Sequence, residues 1–305
     1  MAPVRGILLI LGGIALLTLM SAFVKAASEG VPTGQVVFFR AALSLPVIAA
    51  WLAMRGELAA GLRVENWRGH AARGLIGSMA MGLGFSAIAV LPLAEVQAIR
   101  FVTPVFLVVF AALLLGERFR LVRTMAVAMG LVGVSIITWP RLSLGEFGGP
   151  EIAGIGMALA SAALAALAQT IVKAISGTER PEAISFTFLA TAAAFSLLTL
   201  PLGWVWPTPG QAALLVGAGV LGAFGQMLLT ASYAHADASS LAPFTYTSMI
   251  WAVGLGFVWF GEVPTWQTLA GGSLIILSGL FIFLRERRLN RQQTAQRKIR
   301  AKGMM

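Results

Sequence analysis

Ten apolar runs, each about 18 to 24 residues long and separated by turn-forming residues, recur along the chain. At about 1.5 Å of rise per residue, a helix of that length crosses a hydrocarbon layer of about 30 Å. The runs fall at 6–27, 33–54, 70–91, 94–115, 122–139, 151–173, 184–203, 211–233, 237–260 and 266–284. Between them lie breakers such as Ser28-Glu29-Gly30-Val31-Pro32, Leu91-Pro92-Leu93, Pro140 to Pro150 and Gly261-Glu262-Val263-Pro264. Only 55–69 and the C-terminal tail offer enough polar chain to leave the membrane surface, so no soluble domain is expected. The first run is longer than the apolar core of a signal peptide and reads as a retained helix. The expected fold is an all-α membrane protein of ten transmembrane helices.

Composition agrees. Of 305 residues 58% are hydrophobic and 11% charged, against roughly 25% charged in soluble domains. The 34 glycines suit helices that approach closely in lipid, where no hydrophobic force drives one against another. With no cysteine, disulfides, thiolate metal sites and a cysteine nucleophile are excluded. The two histidines, His70 and His235, fall in or beside loops, so neither a metal nor another cofactor is expected. An enzyme would also need a buried base or a carboxylate pair, and none is legible. A retinal-type receptor would want a mid-span lysine, whereas Lys25 and Lys173 lie near span ends.

The basic residues sort by side. With the N-terminus inside, 18 of 22 Lys and Arg fall on inner segments, Arg73 counted among them. Lys25 and Arg141 fall outside, and Arg40 and Arg100 within spans. The positive-inside rule then puts both termini of a multi-pass protein in the cytoplasm; the expected setting is a bacterial inner membrane. The basic tail, 285–305, follows a membrane helix directly and reads as a cluster against anionic headgroups, not a nucleic-acid arm.

The chain is also an internal duplication. Val24-Lys25-Ala26 returns as Val172-Lys173-Ala174, and Leu115-Gly116-Glu117 as Phe260-Gly261-Glu262, at offsets of 148 and 145 residues. The repeats are 1–140 and 151–284. A five-helix unit copied in tandem re-enters the membrane from the other side, which inverts the second copy. Two exchangeable half-structures are what alternating access requires.

The stretch Leu91-Pro92-Leu93-Ala94-Glu95, then Phe101-Val102-Thr103-Pro104-Val105-Phe106 and Leu114-Leu115-Gly116-Glu117, together with Phe38-Phe39-Arg40, resembles the drug/metabolite transporter superfamily and, within it, the EamA-type carriers. The likeness runs to about residue 284. It implies a transporter of small metabolites; in texture the chain is most similar to bacterial exporters of aromatic and neutral amino acids. Other cargoes of such carriers, including nucleobases, vitamins and organic cations with proton coupling, stay open, as does a receptor or scaffold. In the second repeat Met249 stands where a proline matching Pro104 would fall.

Candidate substrate-binding residues follow from polar groups placed in spans. Gln97, Arg100, Thr103 and Pro104 recur at helical spacing. Arg100 could meet a substrate carboxylate or pair with a loop acid such as Glu95. Ser161, Gln169 and Lys173, and Gln226, Thr230 and Tyr233, form further stripes that could line a cavity or act as interhelical hydrogen-bond glue. Tyr246 and Trp251 lie at mid-depth and could wall an aromatic pocket or simply pack. Arg40, Pro104 and Glu95 read as structural or gating residues. All twelve acids fall in loops or near span ends, which favours uncoupled transport, with Glu95 the candidate if an ion is coupled. The expected partners are a small-molecule substrate and the bilayer, with no nucleic acid; the oligomeric state stays open, with a monomer as one option.

Overall fold

The computed structural model describes residues 2–115, 121–143, 149–233, 235, 241–278, 280, 281 and 284, and every regular element among them is helical. In chain order these are α1 Ala2–Ala27, α2 Thr33–Met54, a short α3 Leu58–Gly61, α4 Trp67–Val90, α5 Leu93–Arg100, α6 Thr103–Leu115, α7 Leu121–Ser143, α8 Pro150–Ile175, α9 Pro181–Ser196 and α10 Pro209–Tyr233. Then come α11 Ser248–Phe260 and a helical run over 266–278. Among the described residues six helical segments are long and apolar enough to cross a membrane, one of them Pro181–Leu202, where α9 tightens into a 3-10 turn over Leu197–Leu202. Pro201 lies in that turn, and Gly203 ends it at φ 97°.

Two expected spans are not continuous helices. The run expected over 94–115 breaks at Phe101 and Val102 between α5 and α6. Pro104 has no N–H to give the carbonyl of Arg100, and its ring crowds that carbonyl. The Thr103 hydroxyl donates to it instead, at 2.7 Å. The stripe read from Gln97 to Pro104 is therefore interrupted midway. In the ninth span a 3-10 turn, Ala242–Thr247, precedes α11, so the chain leaves the α-helix there although Met249 replaces the proline. The breaks face each other: the rings of Phe101 and Tyr246 meet edge to face with centroids 5.2 Å apart, and Gln97 Nε2 donates to Ser248 Oγ at 2.8 Å. Phe101 and Tyr246 stand 145 residues apart, the offset at which Leu115-Gly116-Glu117 returns as Phe260-Gly261-Glu262.

A second pair of contacts obeys the same relation. α1 packs along α10 where Gly13 and Gly225 meet: a Cβ added at Gly13 would stand 3.0 Å from the Gly225 carbonyl oxygen, and one at Gly225 3.1 Å from that of Gly13. At the equivalent sequence positions α8 crosses α4, and the Ser161 hydroxyl donates to the Ala80 carbonyl at 2.6 Å. With no hydrophobic drive in lipid, such close approaches supply the dispersion contacts that hold helices together.

The bundle has two ends. A basic end carries the 55–66 and 176–180 loops, joined by Arg180 Nη1 to Glu57 Oε2 at 3.2 Å. The opposite end carries the loops at 28–32, 91–92, 203–208 and 261–265. There Gln35 Nε2 donates to the Val205 carbonyl at 2.7 Å, and Val205 N–H returns a bond to Gln35 Oε1 at 3.0 Å. Gly261 ends α11 in the left-handed conformation at φ 64°, the turn expected of it. The matching Gly116 and Glu117 lie outside the described residues.

Candidate functional site: a cationic cavity open at the basic end

A cavity of about 510 Å³ lies between α2, α4, α8, α9 and α10. Its mouth is at the basic end, where Lys173 and Ser176 are exposed and Pro181 starts α9. Apolar walls come from Val172, Ile184, Phe188 and Leu189, and polar groups from Gln169, Ser185, Gln226 and Thr230. Arg40 reaches it from α2 and Arg73 from α4.

Arg40 is fourteen residues from the last residue of α2 at the basic end, a depth of about 20 Å by helical rise. It is buried, at 8% exposure. Its Nε donates to the Met20 sulfur at 3.5 Å, a weak acceptor, and its Nη1 is buried with no hydrogen-bond partner among the described residues. The glycine at 222 makes the seat: a Cβ there would stand 3.2 Å from Arg40 Nε and 3.3 Å from Nη2. One turn on, the Ser44 hydroxyl lies 2.9 Å from the Arg40 carbonyl and 2.8 Å from that of Gly219, bracing α2 on α10.

Arg73 lies in the second turn of α4. Its guanidinium carbon sits 4.2 Å from the Phe188 ring centroid, and its Nε and Nη1 are buried without a hydrogen-bond partner among the described residues. Nη1 occupies the space that a Cβ at Gly77 would fill. A buried guanidinium with unused donors is costly unless something accepts from it, so these two arginines have binding capacity to spare. No carboxylate lines the cavity among the described residues.

The mouth is anchored beside Arg73. Glu179, buried in the α8–α9 loop, accepts from the backbone N–H of Asn66 and of Glu65, and its Oε2 lies 3.0 Å from His70 Nε2. His70 Nδ1 meets Thr187 Oγ1 at 2.6 Å. The donated N–H of Asn66, with help from His70 and Glu65, holds the Glu179 carboxyl below its usual pKa of 4.5 despite its burial. This loop acid, read from sequence as one more interface carboxylate, is buried and structural.

The cavity gathers Gln169, Gln226, Thr230, Lys173 and Arg40 from the residues singled out in the sequence. It leaves others elsewhere. Gln97 and Tyr246 join the two helix breaks, Thr103 caps one, and Pro104 causes it. Arg100, at the last turn of α5, does not line the cavity although its charge lies close enough to act on Arg40, Trp251 is 46% exposed on α11, and Glu95 is buried in the first turn of α5. Ser161 serves as glue to α4. The backbone of Tyr233 ends α10, and its side chain lies outside the described residues. Arg73 and Phe188 were not singled out, because Arg73 reads as one more positive charge at the basic end; the glycine four residues on, Gly77, was the available signal.

At the opposite end an ion pair joins α1 to the segment after α11. Lys25 Nζ lies 2.7 Å from Glu262 Oε1 and donates to the Leu91 carbonyl at 2.6 Å, while Glu262 Oε2 accepts from Leu93 N–H at 2.8 Å. A multi-pass helical bundle with a polar cavity reached from one end belongs to the class of membrane carriers.

Residues 4–139 and 152–284 each match the EamA-like transporter family, and the chain belongs to it. The pseudopaline exporter CntI of Pseudomonas aeruginosa is 31% identical over 265 residues, 86% of this chain and 89% of the relative. A riboflavin transporter of Rhizobium johnstonii is 32% identical over 74% of this chain and 73% of its own. A riboflavin transporter of Vibrio cholerae is 28% identical over 95% and 97%. One crystal structure, 23% identical, superposes with a TM-score of 0.63 over 93% of this chain and 98% of the other, which establishes the fold. The protein is a transporter of small metabolites and not an enzyme.

Proposed function

We propose that this transporter exports an amino acid or amino-acid-derived carboxylate by alternating access, loading it from the cytoplasm into the cavity around Arg40. The observation that carries the reading is the Arg40 Nη1, buried at the end of the cavity with its donors unused. A carboxylate is the acceptor that best matches a guanidinium in a low dielectric. The charge asymmetry of the sequence supports a cytoplasmic basic end, and a relative named as an exporter supports the direction. The cavity also argues on cargo. Organic cations would meet like charge from Arg40, Arg73 and Lys173. The lack of a carboxylate among the described lining residues supports movement down the substrate's own gradient.

Counterflow in proteoliposomes tests this. Amino acids and their derived carboxylates should exchange while the corresponding amides do not, and Arg40→Gln should abolish exchange in protein that melts normally. Retained exchange in Arg40→Gln would overturn the assignment of the site.

A further inference from the structure

We infer that the cavity takes a metabolite with two separated anionic groups, one held by Arg40 and the second by Arg73. This rests on the reading of the cavity as the substrate site and narrows its cargo to acidic members.

Three observations converge on it. The unused donors belong to two arginines on different helices, Arg40 Nη1 on α2 and Arg73 Nε and Nη1 on α4. The Arg73 position is built for a ligand, not left by chance: Gly77 clears the space its guanidinium occupies, and the Phe188 ring lies against the guanidinium at 4.2 Å. The ring supplies no oxygen acceptor, and Arg73 Nε and Nη1 stay without a hydrogen-bond partner among the described residues. Finally, Lys173 adds a third positive charge at the mouth, and no carboxylate lines the cavity among the described residues. One carboxylate would leave most of that charge uncompensated where Coulomb energies are large. A volume of about 510 Å³ also accommodates more than a small mono-acid.

The test uses full-length protein in lipid nanodiscs and two ligand pairs, glutarate and adipate, each against its own mono-amide, which keeps the length and one carboxylate. At least one diacid should bind tenfold or more tightly than its mono-amide. Arg73→Gln should bring that ratio toward one, and Arg73→Lys should restore part of it, since a charge remains without the planar donor set. Where Arg73→Gln is poorly folded, Gly77→Ala supplies the same readout by displacing the guanidinium while keeping the charge. Equal binding of diacid and mono-amide, no binding of either diacid at millimolar concentration, or a ratio unchanged in Arg73→Gln would each overturn the inference. The two readings fail differently: Arg40→Gln that weakens neither ligand defeats the site itself. Arg40→Gln that weakens both, beside an Arg73→Gln without effect on the ratio, defeats the second anion alone.

Discussion

Lys25 at the end of α1 is bonded to Glu262 beyond α11, with 2.7 Å between Nζ and Oε1, and this ion pair ties the first repeat to the second at the end opposite the cavity mouth. The lysine spans further, to the Leu91 carbonyl at 2.6 Å, and lies 5.4 Å from the Phe260 ring centroid. Both side chains are largely withdrawn from water, at 13% and 16% exposure.

Breaking that pair should loosen this end. Removing one partner of a withdrawn ion pair leaves the other uncompensated, and a bias of about 2 kcal/mol changes the ratio of two states roughly thirtyfold. The native chain has no cysteine, so spin labels at Glu29→Cys and Val263→Cys report without background. Lys25→Met should add a longer distance population, and Lys25→Arg, which keeps the charge and the donors, should not. A single unchanged distance in Lys25→Met would show that the pair does not hold this end together.

Glu179 gives a pH dependence of known sign. Its folded pKa lies below 4.5, so its stabilisation is complete above that value and is lost as pH falls through the lower folded value. Glu179→Gln should therefore melt at lower temperature at neutral pH, with the gap to native protein closing as pH drops below about 4.5. Parallel melting curves across the range would mean that the carboxylate's charge contributes nothing.

Close helix approach makes some glycines irreplaceable and others neutral. At Gly271 a Cβ would collide with the Gly133 carbonyl, whereas at Gly156 it meets nothing within 4 Å. Gly271→Ala should destabilise by about 1–3 kcal/mol. Gly156→Ala should be neutral or stabilise by up to about 1 kcal/mol through helix propensity. Thermal melting in detergent separates them; equal melting temperatures would contradict the packing described.

Arg100 and Arg40 should part company in transport. Arg40 lines the cavity and Arg100 does not, so Arg40→Gln should lose exchange of the acid while Arg100→Gln keeps it, along with the preference for acid over amide. Counterflow of both solutes in each variant decides it, and loss of acid exchange in well-folded Arg100→Gln would move the site to α5.

Much of this architecture is determined by sequence, because lipid imposes a length on every crossing and a helix on every backbone. The offsets linking Lys25 to Lys173, and Gly116-Glu117 to Gly261-Glu262, are likewise visible in one dimension. The family follows from the same residues.

Which polar residues share a cavity was decided only by tertiary structure. By sequence Arg100, within a span and on a polar stripe, ranks above Arg73, which reads as one more charge at the basic end, yet Arg73 lines the cavity and Arg100 does not. What separates them is what stands opposite: Phe188, from a helix more than a hundred residues away, covers the Arg73 guanidinium, while Arg100 stands at a helix break. The break itself has a local cause in Pro104, but its partner at Tyr246 has no proline matching it, and the contact between the two exists only once the repeats are packed together. Spacing along a chain fixes which residues share a helix face; which faces meet depends on where glycines such as Gly13 and Gly225 let two backbones approach, a property of the pair and not of either helix alone.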